Sequence, residues 1–291
     1  LRQPGKTVLS DETGDATASL FSDEPVLLNA EEWLLQADYS YKSLEGANKN
    51  RAKERLDSIK VILKDLLPEV DDINFTTPNI ELSKNVRVEF LTPYGCVSLR
   101  QLGLGYKTMI AWVVDLSARL WQRYPHSKNP LAEPAVVLVD EIDLHLHPRW
   151  QRELISSLTK HFPYTQFIAT AHSPLIVQAA AGEANIVLLR REQDHVVIEN
   201  HVPINPNLRV DQLLTSELFG LESARSPKVE QLIDRQTEIL SKSTLTKNDK
   251  KELQDIEQQL DNLPVGETAE DIEAVELIRY VAQNLKKKNE L

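Results

Sequence analysis

One cysteine, Cys96, occurs in 291 residues. No intrachain disulfide can form, and no cysteine-rich metal site; the shortage fits a reducing compartment, the cytoplasm. Positive charge is also short: 33 Lys and Arg stand against 44 Asp and Glu, a formal net charge of −11. That excludes a protein that coats nucleic acid by bulk charge and leaves room for a local basic patch. No apolar run approaches the roughly 20 residues needed to cross a bilayer. The longest clean run, Ala135–Val139, is strand-sized, so no membrane partner is expected. The start shows no signal-peptide pattern and no Met, and the chain is expected to begin partway through a longer product. Internal repeats and long low-complexity tracts are missing too. What remains, 41% hydrophobic and 26% charged, is an ordinary globular balance. It excludes a wholly disordered or fibrous chain and suits one large domain, alone or with an appendage.

Periodicity divides the chain into three parts. Residues 1–94 read as a polar loop (1–25), helices at 29–42 and 48–67, and strands at 86–90 and 96–99 joined by a Tyr94-Gly95 turn. Asn29 is the expected cap of the first helix and Pro68 closes the second. Residues 95–207 alternate apolar strands with helices: helix 106–124, strand 135–139, helix 148–161, strand 166–170, helix 174–180, then strands 185–190 and 195–200. That alternation implies an α/β layer with a mostly parallel sheet and flanking helices. Residues 208–291 form an α-helical extension, with helices at 209–219, 227–242, 247–262 and 269–287 and a turn at Pro264 and Gly266. Leu253, Ile256 and Leu260 are spaced for a helical hairpin or short coiled coil. Lys286–Lys288 suit a helix C-terminus.

Three segments carry chemistry. Val136-Val-Leu-Val-Asp140-Glu141 is an apolar strand ending in two carboxylates, at the edge where open α/β sheets bind ligands. In P-loop NTPases such an aspartate holds Mg²⁺ and the next glutamate orients or deprotonates the attacking water; two solvated acids at a strand end are the bland alternative. Ala169-Thr-Ala-His172-Ser-Pro174 follows a second apolar strand, from which His172 can donate to a terminal phosphate. Leu102-Gly103-Leu-Gly105-Tyr-Lys107 opens helix 106–124, where backbone N–H groups, the helix N-terminus and Lys107 favour an anion. A tight turn would use the same glycines.

In this order the segments resemble the second half of an ABC-type ATPase head, in the branch shared by recombination, SMC-like and OLD-type ATPases. The P-loop NTPase fold, ATP and Mg²⁺ follow from that resemblance. It implies a signature loop at 102–107, a Walker B strand at 136–141, a D-loop at 142–148 and a switch histidine at His172. Asp140-Glu141 with His145-Leu-His147-Pro148, then Ala169-Thr-Ala-His172-Ser-Pro, and Val210–Leu221 further on, are similar to bacterial defence ATPases named as AAA-type. Septu-like systems, which pair such an ATPase with an HNH nuclease, are among them. The resemblance covers about 95–225. It implies a homodimer or higher oligomer that sandwiches ATP, with Asp140 on Mg²⁺, and Glu141 and His172 catalytic. Gly103, Gly105, Lys107, Asp143 and His147 would lie at the nucleotide. A nuclease partner and a DNA or phage-derived trigger follow from it as well.

Two departures stand out. Gly103 replaces the usual signature serine, removing a hydroxyl directed at the γ-phosphate on the opposite subunit, and His147 stands where transporters have the D-loop aspartate. Walker A is missing: Pro4-Gly5-Lys6-Thr7 has its last three residues but no room for the first glycine. The first ATPase lobe is therefore expected on another chain or removed, and the isolated chain is expected to bind ATP weakly or not at all. A non-hydrolysing scaffold is the alternative. A third reading gathers Glu141, Asp143, His145 and His147 into a metal-dependent hydrolase, which needs about three converging ligands. Trp112, Trp121 and Trp150 are expected in the core or an interface rather than stacked on bases.

Overall fold

The computed structural model describes residues 27–76, 86–242 and 244–261. The chain divides into two compact units, Leu1–Leu213 and Leu214–Leu291. In the first unit, helix α1 (Ala30–Ser43) starts at Asn29, whose side chain accepts from the Glu32 N–H at 3.3 Å. Helix α2 (Gly46–Leu66) buries Leu56, Ile59, Ile62, Leu63 and Leu66, the apolar stripe that its spacing predicts. Both pack against α3 (Leu104–Arg123), which buries Met109, Ile110, Val113, Val114 and Leu120. The carboxylate of buried Asp115 is held by the Leu28 N–H at 3.2 Å and by Arg119 at 2.7 Å. Trp121 and Trp150 are buried and Trp112 packs against the same core; Arg51 and Arg55 lie over the rings of Trp121 and Trp33.

Beside the helices lies an antiparallel sheet in the order β1 (Asp72–Phe75), β2 (Val88–Thr92), β3 (Gly95–Ser98). The expected hairpin is present: Thr92 pairs with Gly95, and the φ of +115° at Gly95 requires glycine. Cys96 is exposed on the edge strand β3. Strand β1 is invisible to the pattern reading because Asp-Ile-Asn-Phe has two residues depleted in strands. Its pairing with β2 forms it, through Ile73 opposite Phe90, both fully buried.

The α/β layer is built from β4 (Ala135–Val139), α4 (Pro148–His161), β5 (Thr165–Ala169) and α5 (Pro174–Ala180). Strands β4 and β5 pair in parallel, from Ala135 opposite Thr165 to Val139 opposite Ala169. The bounds of β4, α4 and α5 match those read from periodicity. The α/β class stands. Its parallel component is the β4–β5 pair, and the other described sheets, including the hairpin β6 (Val187–Glu192) with β7 (His195–Asn200), are antiparallel. One face of β4–β5, with Val137, Val139 and Phe167, packs on the core. The other is bare: Val136, Leu138 and Ile168 are 65%, 46% and 52% exposed.

Helix α6 (Val210–Leu214) is shorter than the 209–219 expected. The Ser216 hydroxyl accepts from the Leu218 N–H, and the chain turns back so that the Leu221 N–H donates to the Leu214 carbonyl. Such local side-chain bonds compete with helix. The second unit holds α7 (Pro227–Leu240) and α8 (Lys247–Asp261), which meet through Ile239, Leu253 and Ile256, with Leu232, Leu245 and Leu260 around them. Within the described residues, then, the apolar stripe of α8 is covered by α7. Helix 269–287, Lys286–Lys288 and Pro4–Thr7 lie outside the described residues. Among the described residues no helix is long and apolar enough to cross a membrane.

Candidate nucleotide-hydrolysis site

Parallel pairing in register makes the residues just past each strand neighbours. The Thr170 N–H donates to the Val139 carbonyl and the Ile142 N–H to the Thr170 carbonyl, both at 3.0 Å. Asp140 and Thr170 thus leave the sheet side by side. The Thr170 hydroxyl donates to Asp140 Oδ1 at 2.5 Å and accepts from the Glu141 N–H at 2.8 Å. Asp140, Glu141, Thr170 and His172 are all exposed.

The chain turns sharply after the strand. Glu141 has φ +52° and His145 φ +63°, left-handed conformations that cost non-glycine residues of order 1–3 kcal/mol and concentrate at functional sites. The Asp143 carboxylate, half-buried, accepts the His172 N–H at 3.2 Å (Oδ2) and 3.4 Å (Oδ1). Gln151 on α4 closes a second link: its amide donates to the carbonyls of Asp143 and Leu146 at 3.3 and 3.0 Å, and its oxygen accepts the Ser173 hydroxyl at 2.5 Å. Ser173 also caps α5. The loops 140–147 and 170–173 are therefore one hydrogen-bonded unit at the C-terminal edge of β4–β5.

The structure brings the chain segments that bear Asp140, Glu141, Asp143 and His172 to one edge of the sheet, linked through Thr170 and the His172 N–H, and gives the remaining candidates specific local contacts. His147 caps α4, with Nδ1 accepting from the Arg149 N–H at 3.3 Å. Gly103 is the N-cap of α3 without a side chain to cap it. Gly105 is a packing glycine: a Cβ there would stand 2.4 Å from the His145 carbonyl oxygen, so α3 begins directly against the 141–147 loop. Tyr106 reinforces that contact, its ring edge-on to Trp150 at 4.4 Å and its hydroxyl on the Pro68 carbonyl; burial and the charge of Glu69 raise the phenol's pKa. The Lys107 ammonium bonds the Arg100 carbonyl at 2.8 Å. Among the described residues no three His, Cys, Asp or Glu side chains are grouped to hold a metal ion, so Glu141, Asp143, His145 and His147 do not form the four-residue centre considered from sequence. Thr170, Gln151 and Ser173 carry no motif of their own and act as hydrogen-bond links; the Thr170 bonds and the Ser173–Gln151 bond span 22 to 30 residues of chain. The one available signal was a threonine immediately after an apolar strand.

One family profile, AAA domain, putative AbiEii toxin, Type IV TA system, matches residues 11–178. The chain belongs to this family. Septu protein PtuA of Bacillus mycoides (strain KBAB4) is 31% identical over 272 residues, 93% of this chain and 35% of that protein. The Retron Ec83 probable ATPase of Escherichia coli is 37% identical over 147 residues, 48% of this chain and 27% of that protein. A solved SMC ATPase structure aligns with a TM-score of 0.41 at 13% identity, over 60% of this chain and 94% of that one. The family match and the first two relatives bear out the resemblance to Septu-like ATPases. The chain spans about a quarter to a third of the length of these curated relatives.

Proposed function

We propose that this chain supplies the hydrolytic edge of an ATP-driven switch: Asp140 holds Mg²⁺, Glu141 orients the attacking water and takes its proton, and His172 donates to the γ-phosphate. The observation that carries this reading is the cross-linked pair of loops leaving β4 and β5, which places both carboxylates and the histidine segment at one sheet edge. The donor set suits a hard cation that keeps most of its waters, since it offers one exposed carboxylate rather than an all-protein cage. Mg²⁺ there would neutralise charge on the phosphates. The Glu141 turn sets the carboxylate beyond the strand end, and the Asp143 carboxylate fixes the backbone that carries His172.

The phosphate loop is assigned to a separate lobe, and the bare face of β4–β5 supports this. Strands buried on both sides read as continuous apolar runs, whereas half-exposed ones alternate. Val136-Val-Leu-Val139 is continuous, yet only alternate residues are covered. A lobe bearing Walker A covers Val136, Leu138 and Ile168 in the complete protein, and the 1–291 chain alone binds ATP weakly or not at all. Residues 95–207 form the ATPase part of this chain, two copies sandwich ATP, and 208–291 report the nucleotide state to a partner. In a cytoplasmic anti-phage system that partner is a nuclease, and DNA is the candidate trigger. Relatives named Septu protein PtuA and Retron Ec83 probable ATPase support this setting.

Glu141→Gln in the complete protein tests the mechanism. Hydrolysis should slow and the ATP-bound state last longer; unchanged turnover defeats the role given to Glu141. A second reading, a scaffold without turnover, draws on the missing hydroxyl at Gly103. Nucleotide turnover by the whole assembly separates the two.

A further inference from the structure

The geometry points to Thr170 as the positioning residue of the site: one hydroxyl sets the direction of the metal-holding Asp140 and the backbone of the water-orienting Glu141. This inference rests on the ATPase reading and deepens it. The Thr170 hydroxyl donates to Asp140 Oδ1 and accepts from the Glu141 N–H. A hydroxyl is the smallest side-chain group that does both through one atom. The consequences differ for the two acids. At Asp140 the hydroxyl engages one acceptor site of Oδ1, restricting the carboxylate's rotation while Oδ2 stays open to a cation. At Glu141 it engages the N–H of a residue held at φ +52°, a conformation that needs support from its surroundings.

Thr170 is itself immobilised. Its N–H is tied to the Val139 carbonyl and its carbonyl to the Ile142 N–H, so its backbone is stitched to both sides of the acidic pair. It also opens the segment that ends at His172, whose N–H returns to Asp143. A shift of the His172 loop therefore moves Thr170 and, through it, both carboxylates. A partner of this kind, one bond removed from the cation, is expected to matter nearly as much as the ligand, with losses of about 10–100-fold in metal affinity or activity on removal.

Three variants of the complete protein test this: Thr170→Val and Thr170→Ala, which remove the hydroxyl with and without the branched shape, and Thr170→Ser, which keeps it. Two measurements are made. One is Mn²⁺ binding in the presence of a non-hydrolysable ATP analogue, read as loss of the free-ion electron paramagnetic resonance signal. The other is the Mg²⁺ dependence of ATP hydrolysis. Whichever hydroxyl-less variant folds should weaken Mn²⁺ binding and raise the half-saturating Mg²⁺ concentration about tenfold or more, with the KM for ATP at saturating Mg²⁺ little changed. Thr170→Ser should remain within about threefold of wild type, because the donor and acceptor are retained. Wild-type Mn²⁺ binding and turnover in a hydroxyl-less variant overturn the inference and leave the ATPase reading intact. A serine variant as impaired as valine also overturns it, assigning Thr170 a packing role. A wild-type protein that neither hydrolyses ATP nor binds Mn²⁺ with nucleotide overturns the ATPase reading and the inference together.

Discussion

Gly105 lies against the carbonyl of His145, and a methyl group at that glycine would stand 2.4 Å from the oxygen. The start of α3 and the loop after β4 are thereby packed backbone to side-chain-free backbone. On helix propensity alone, Gly105→Ala would stabilise α3 by about 1 kcal/mol. The close approach reverses the sign, because the neighbour is main chain and cannot swing away. Gly105→Ala should destabilise the first unit by about 1–3 kcal/mol, read as a lower melting temperature.

Gly103 is the opposite case. The nearest atom to an added Cβ is Tyr106 Cδ2 at 4.0 Å, and the position is an N-cap with φ −61° and ψ 161°. Serine fits there and caps the helix. Gly103→Ser should raise stability by a few tenths of a kcal/mol. In the complete protein the restored hydroxyl should raise ATP turnover about tenfold, the size of one hydrogen bond to a charged group. Thermal unfolding and steady-state hydrolysis check the two effects separately; a fall in turnover would remove the signature loop from the mechanism.

Acid should loosen the contact between α2 and α4. Asp65 on α2 accepts from the Lys160 ammonium and faces His161 Nε2, both at 2.8 Å, and the Lys160 hydrogen bond leads the effects that hold its carboxyl below the ordinary value. Its folded pKa is depressed, so its stabilisation is complete above the unfolded value of about 3.9 and is lost as the pH falls through the lower folded value. Asp65→Asn should cost under about 1 kcal/mol at neutral pH, as befits a partly exposed pair. The difference from wild type should vanish in strong acid, measured by urea denaturation across pH.

The uncovered face of β4–β5 makes a prediction that depends on context. Ile168 is 52% exposed in this chain and is proposed to be covered in the complete protein. Ile168→Lys should leave the stability of the 1–291 chain within about 0.5 kcal/mol and reduce its self-association. In the complete protein the same change should cost several kcal/mol, through an unpaired buried charge. Light scattering on the first and thermal unfolding on the second decide; an equal, small effect in both would place the missing lobe elsewhere.

Much of this architecture was legible in the sequence, for a reason visible in its particulars. Strand β4 and helices α4 and α5 are set by local pattern and punctuation, with Pro148 and Pro174 at the helix starts, and their bounds follow. Strand β1 is set by its partner β2, and no local pattern marks it. The same division runs through the site. The acidic pair and the histidine segment stand at strand ends and could be found by position. Thr170 reaches Asp140 and Glu141, and Ser173 reaches Gln151, across 22 to 30 residues of chain, which only pairing register reveals. Gly105 suits an anion at a helix start, and the family resemblance alone places His147 at the nucleotide. In this chain Gly105 also makes room for the His145 carbonyl and His147 also caps the start of α4.

The solitary thiol turns the edge of the β1–β3 sheet into a ready spectroscopic handle. Because Cys96 is exposed and is the one cysteine of the 291 residues, a maleimide dye or nitroxide attaches to this chain at a single defined point without a mutation. In an assembly of identical copies of this chain, the separation between such tags would report how closely two subunits approach.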